Sequence, residues 1–180
     1  MKQSKLRKIF ATLLAVVMIL CVMPLGTLAQ NDGGQQFRDV ASNAWFANAV
    51  AYCYENGLMV GVSDTEFDPN GTVTREMVVS VLYRIAETPD VEIAEGETAV
   101  GGFADVAAGK WYSKAILWGK ENEIVYGLTE TQFGVGEAVT REQLTAFLYR
   151  FAEKWGCDIS GKDDLAAFAD ADNIRAYAVD

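Results

Sequence analysis

The chain has 180 residues, with 25 acidic against 15 basic side chains and a formal net charge of −10, which argues against nucleic acid and anionic lipid as main partners. It has no histidine, so His-based triads and His metal sites are excluded, and no glycine-rich phosphate loop appears. Nothing in the residues calls for a cofactor.

Residues 1–29 read as a cleavable export signal. Lys2, Lys5, Arg7 and Lys8 give a basic start, Ile9 to Val22 an apolar run, and Thr27-Leu28-Ala29 a small-x-small cleavage site, which predicts a mature chain from Gln30. The run is short for a membrane anchor, and Pro24 and Gly26 stand where cleavage signals have breakers. No membrane association is expected after cleavage. Removing the segment leaves 11 basic against 25 acidic residues, a net charge of −14. Cys53 and Cys157 remain. A single disulfide between them stays open as a reading, but the Cys53 position is taken by Gly119 in the internal repeat, which favours a small residue at a tight helix contact. About 150 mature residues suffice for one compact domain.

Residues 37–86 are repeated, without a gap, 66 positions later at 103–152, and 19 of the 50 paired positions are identical. Such repeats pack against their neighbours and bind ligands at the seams. Each copy reads as helix, extended loop, helix. The first helix is expected after Asp39 or Asp105, with Trp45 and Trp111 in its opening turns. Phe46, Ala49, Val50 and Cys53 recur at helical spacing, as do Tyr112, Ala115, Ile116 and Gly119. Gly57 supplies a left-handed C-cap in copy one. Copy two has Glu123 there, so either Asn122 takes the role or the end differs.

A short apolar run follows, closed by Gly61 or Gly127, whose lack of a side chain suits a turn or a close backbone approach. A lone Phe67 or Phe133 comes next. Asp68-Pro69-Asn70-Gly71 is a strong turn signal, and Gly134-Val135-Gly136-Glu137 a looser one. The second helix is expected from an N-cap at Thr74 or Thr140, with Glu76 or Glu142 in its first turn. Its apolar face is Val78, Val81, Leu82 and Ile85, or Leu144, Phe147, Leu148 and Phe151. Met77/Gln143 and Val79/Thr145 fall on the looser sides.

The expected organisation is a signal at 1–29, repeats at 30–86 and 103–152, linkers at 87–102 and 153–167, and the start of a third repeat at 168–180. There Phe168-Ala169-Asp170-Ala171 restarts the pattern.

The ordered set Phe-x-Asp-Val, Trp, an Ala-rich helix, Gly, Phe and Val-Thr-Arg-Glu resembles the S-layer homology (SLH) family, over nearly all of the mature chain. The resemblance implies an all-α fold in which three helix-loop-helix repeats form a pseudo-threefold bundle. It implies secretion to the bacterial cell wall and non-catalytic anchoring. The expected partner is an acidic secondary cell-wall polysaccharide, often pyruvylated, held in grooves between repeats. The family's Thr-Arg-Ala-Glu motif matches Thr74-Arg75-Glu76 and Thr140-Arg141-Glu142, which lack the alanine.

Arg75 and Arg141 are the leading glycan-binding candidates. A cation at the first helical position faces the positive end of the helix dipole, yet both copies keep it. Recognition of a carboxylate or phosphate is weighed against an ion pair to Asp39, Asp105 or a glutamate of the next repeat. The candidate site also holds Thr74, Thr140, Glu76, Glu142, Gly61, Gly127 and Trp118. Trp45 and Trp111 are assigned to the core, whereas Trp118 and its counterpart Tyr52 stay open.

Asp64, Glu66, Asp68 and Asn70 alternate like a calcium loop, but Pro69 and Arg75 stand where its glycine and glutamate belong, so no metal is expected. Two other roles remain in view. The chain is either a structural module of a surface layer, self-associating through an incomplete third repeat, or the anchor portion of a larger exported enzyme.

Overall fold

The computed structural model describes residues 36–161, 165 and 168–178. The expected signal segment lies outside them, and no helix among the described residues is long and apolar enough to cross a membrane. The fold is all-α, with helices α1 (Ala47–Glu55), α2 (Arg75–Ile85), α3 (Ser113–Glu121) and α4 (Arg141–Lys154). Short 3-10 turns occupy Val100–Gly102, Ala171–Asn173 and Ala176–Ala178. The described residues contain no strand, only an antiparallel bridge between Thr74 and Ala138.

The chain divides into two compact units, with the boundary between Asn70 and Gly71. That boundary falls inside the first copy, so packing and repeat are out of register. Unit 1 holds α1 and its loop. Phe37, Val40 and Val50 form its core with Phe46, Ala47 and Phe67 around them. Unit 2 begins with α2, which packs on α3 of the second copy and touches α4. Val79, Leu82, Phe103, Ile116, Ile124, Val125, Phe133 and Phe151 are among its buried side chains. The first and second copies reuse one ring pair, Phe37 on Phe67 at 5.4 Å and Phe103 on Phe133 at 5.7 Å.

The first helix of each copy starts later than expected, at Ala47 and Ser113, because the preceding aspartates are used elsewhere. Asp39 accepts the N–H groups of Phe67 and Asp68, and Asp105 accepts those of Phe133, Gly134 and Val135. Each carboxylate thus pins the distal end of its copy's loop. For Asp39 the Phe67 N–H is the main reason its pKa falls below the usual value. Burial raises that of Asp105, and the N–H groups of Val135, Phe133 and Gly134 outweigh it, so it too ends lowered.

Helix ends follow local chemistry. Gly57 takes the left-handed conformation at φ 66°, and Glu123 takes it in copy two at φ 59°, while Asn122 stays right-handed and donates its side-chain N–H to Trp118 O. Thr140 makes a full capping box with Gln143. Thr74 does not make the expected bond: its Oγ1 is buried without a partner among the described residues. Met77 stands where Gln143 stands and cannot complete the box. Val79 is also a correction, being fully buried rather than on a loose side, because α3 covers it. No disulfide joins Cys53 to Cys157.

Candidate functional site

The two Thr-Arg-Glu motifs open α2 and α4, both in unit 2, and their arginines have different fates. The bridge between Thr74 and Ala138 brings the extended residues before these helices side by side, with Arg75 N–H bonded to Glu137 O and Val139 N–H to Val73 O. This pairing sends the Arg75 side chain into the loop of the second copy. Its Nε donates to Phe133 O at 2.9 Å and its Nη2 to Tyr126 O at 2.6 Å. The guanidinium carbon lies 4.8 Å from the Phe133 ring centre and 5.1 Å from that of Phe147.

Arg75 is 2% exposed. Burial lowers its pKa, opposed by Tyr177, Glu76 and Asp105, yet a guanidinium remains charged in proteins. Neither the ion pair nor the anion contact expected from sequence accounts for these bonds. The Arg75 cation is held by two carbonyls and two rings. Glu76 beside it is also buried, and its carboxylate accepts the Gly136 N–H.

Arg141 is exposed, and among the described residues its guanidinium meets no partner. Its neighbour Glu142 repeats the reach of Glu76 into the following segment, pairing with Arg175 at 3.1 Å and accepting the Arg175 N–H. Thr140 is committed to its capping box. The motif therefore presents one enclosed arginine and one open arginine.

Gly61 and Gly127 sit where no side chain fits. A Cβ on Gly61 would overlap Glu66 O, the Phe37 ring at 2.5 Å and Ser63 O at 2.6 Å. On Gly127 it would overlap Thr129 O, Gln132 O at 2.5 Å and the Phe103 ring at 2.6 Å. Both glycines let the loop close over the copy's leading phenylalanine.

The tryptophans reverse their expected places. Trp118 is 3% exposed, packed 5.4 Å from Tyr83, 5.6 Å from Trp155 and 6.2 Å from Phe151. It has no face left for a sugar, because α3 turns this position onto α2. Trp45 is 78% and Trp111 58% exposed. Each precedes its helix in a turn, outside the 3.6-residue stripe, and meets Phe46 or Tyr112 edge-on. Sequence reasoning missed them as surface aromatics. The available signal was identity in both copies at a position off the apolar stripe.

Residues 36–76 and 102–145 match the model of the S-layer homology domain. The chain is 30% identical, over 98% of its length, to the Surface-layer 125 kDa protein of Lysinibacillus sphaericus, and covers 14% of that protein. It is 30% identical over 65% of its length to the Amylopullulanase of Thermoanaerobacterium thermosulfurigenes, covering 6% of it. It is 25% identical over its whole length to the Endoglucanase of Bacillus sp. (strain KSM-635), covering 19% of it. The chain therefore spans less than a fifth of each of these relatives. No solved structure matches it.

Proposed function

This chain belongs to the S-layer homology family, and on that premise we propose that it is a non-catalytic module that holds an exported protein on the bacterial cell wall by binding an acidic secondary wall polysaccharide. Attachment at the cell surface is the part that the relatives support. They include a surface-layer protein and, by name, several carbohydrate-acting enzymes that share this stretch.

The observation that carries the polysaccharide reading is Arg141. It is an exposed guanidinium at a helix start, without a partner among the described residues, in a chain of net charge −10. Free N–H groups of the first turn lie alongside, and a carboxylate or ketal acid suits that combination. Trp45 and Trp111 offer indole faces of the kind on which sugar C–H faces stack, in place of Trp118. Arg75, Glu76 and Gly127 act one step back by fixing the second-copy loop, as Gly61 fixes the first. Because the net field repels an anionic polymer, attraction is local and gains nothing from long-range steering.

The test is co-sedimentation of the purified protein with cell-wall sacculi before and after removal of the secondary polymer. Binding should require the polymer and fall with Arg141→Ala and with Trp111→Ala while both variants stay folded. Binding that survives stripping, or that ignores both substitutions, would remove the assignment.

A further inference from the structure

Asparagine followed by glycine is prone to cyclise on itself, because glycine has no side chain to shield its backbone N–H from the asparagine carboxamide. The chain contains this pair twice, at Asn56-Gly57 and at Asn70-Gly71. The internal repeat copies neither, since the counterparts are Asn122-Glu123 and Gly136-Glu137. The residues of both pairs are exposed, so solvent access does not separate them, whereas hydrogen bonding does.

Asn56 caps the C-terminal end of α1. Its backbone N–H donates to Tyr52 O at 3.1 Å and its side-chain Nδ2 to the same oxygen at 2.8 Å, while Gly57 N–H donates to Tyr54 O at 3.0 Å. The carboxamide and the nitrogen that would attack it are both occupied. The last turn of α1 must open before they can meet.

Asn70 and Gly71 lie in an exposed turn after Pro69. Residues 69–72 make no hydrogen bond to another described residue. The chain is anchored only on either side of them. Asp39 accepts the N–H groups of Phe67 and Asp68, and Val73 O accepts the Val139 N–H. Carboxamide and nucleophile are therefore free to approach each other without breaking any of these bonds.

We propose that Asn70-Gly71 is a self-modification site, where the Gly71 backbone nitrogen attacks the Asn70 carboxamide and the chain converts to isoaspartate, while Asn56-Gly57 is held intact by its helix end. The Gly71 nitrogen gives up its proton and bonds to Asn70 Cγ. The Cγ–Nδ2 bond breaks, and Nδ2 leaves as ammonia. Water then opens the cyclic imide at either carbonyl, which leaves aspartate, or isoaspartate with the main chain routed through Cβ and Cγ. Ammonia is released, a water is taken up, and no oxidant or cofactor enters. The product gains a carboxylate, charged at neutral pH. The iso form also lengthens the main chain between the two anchors by a methylene and leaves both anchors in place. The inference is independent of the glycan reading and uses none of its residues.

The test is incubation of the purified protein in warm, mildly alkaline buffer, with and without urea, followed by peptide mapping that separates isoaspartate from aspartate. In the folded chain Asn70 should convert at least about tenfold faster than Asn56, because reaction at Asn56 waits on breaking its helix-end bonds. In urea the two rates should converge, since the sequence chemistry of the pairs is the same. Gly71→Ala, at an exposed position, should slow conversion at Asn70 and leave Asn56 unchanged. Equal rates in the folded chain, a gap that persists in urea, or conversion of Asn70 to aspartate without isoaspartate would each overturn the proposal.

Discussion

Replacing Arg75 with alanine should unfold unit 2 far more readily than the same change at Arg141, although both arginines occupy the same place in the repeat. The Arg75 guanidinium donates to Phe133 O and Tyr126 O. Hydrogen bonds to a charged group contribute about 1.5–3 kcal/mol each, and a carbonyl left buried and unpaired adds its own penalty. Two flanking rings add about 0.5–1 kcal/mol more. Allowing for overlap among these contributions, the loss is about 4 kcal/mol. That is a large part of the 5–15 kcal/mol, roughly, that stabilises a domain.

In urea, with a slope of about 2 kcal/mol per molar, the midpoint should fall by about 2 M. The fluorescence of Trp118 and Trp155, 5.6 Å apart in unit 2, reports it once Trp45 and Trp111 are changed to Phe. Arg141→Ala should stay within about 0.5 kcal/mol, as surface changes do. Arg75→Lys should fall between, at about 2 kcal/mol, because an ammonium cannot reproduce the fork that spans two carbonyls. Equal midpoint shifts for Arg75→Ala and Arg141→Ala would refute the account.

Gly127→Ala forces a methyl into two carbonyls and the Phe103 ring and should cost more than about 3 kcal/mol, read as a lowered melting temperature. Glu123→Gly relieves the left-handed backbone at φ 59° and should stabilise by up to about 1 kcal/mol in the same assay. The lowered pKa of Asp105 adds stability that is complete above the unfolded-state value of about 3.9 and is lost as pH falls through the lower folded value. Acid titration of Asp105→Asn should therefore show a flatter fall below about pH 4, whereas an unchanged acid limb would count against the loop clamp.

The helices and the glycine turns were legible in the sequence because they rest on local rules. Apolar spacing and the threonine N-caps place the starts of α2 and α4 to the residue, whereas α1 and α3 begin later than the aspartates suggested. The site was less legible, because its geometry depends on partners far along the chain. Nothing within Thr74-Arg75-Glu76 says that Phe133 O and Tyr126 O will receive the cation. The two motifs look alike in sequence, and burial of one and exposure of the other depend on what packs next to each. The tryptophans were misassigned for a related reason. Periodicity places a residue on a helix face but does not say which face finds a neighbour. Trp45 and Trp111 lie in turns where the period does not apply, and Trp118 is covered because α2 of the preceding copy lies against it.

The offset between repeat and packing unit has a consequence for the order in which the chain can become structured. As it emerges amino end first, α2 is synthesised before the surface that completes it. The acceptor for Arg75 at Phe133 arrives 58 residues later. Until then the helix exposes Val79 and Leu82 and leaves the Arg75 guanidinium in water, and at 11 residues it is marginal on its own. Loop closure over that span is slow relative to local helix formation. Each copy therefore acts as a template for the tail of the one before it, and maturation proceeds as a relay along the chain rather than bead by bead.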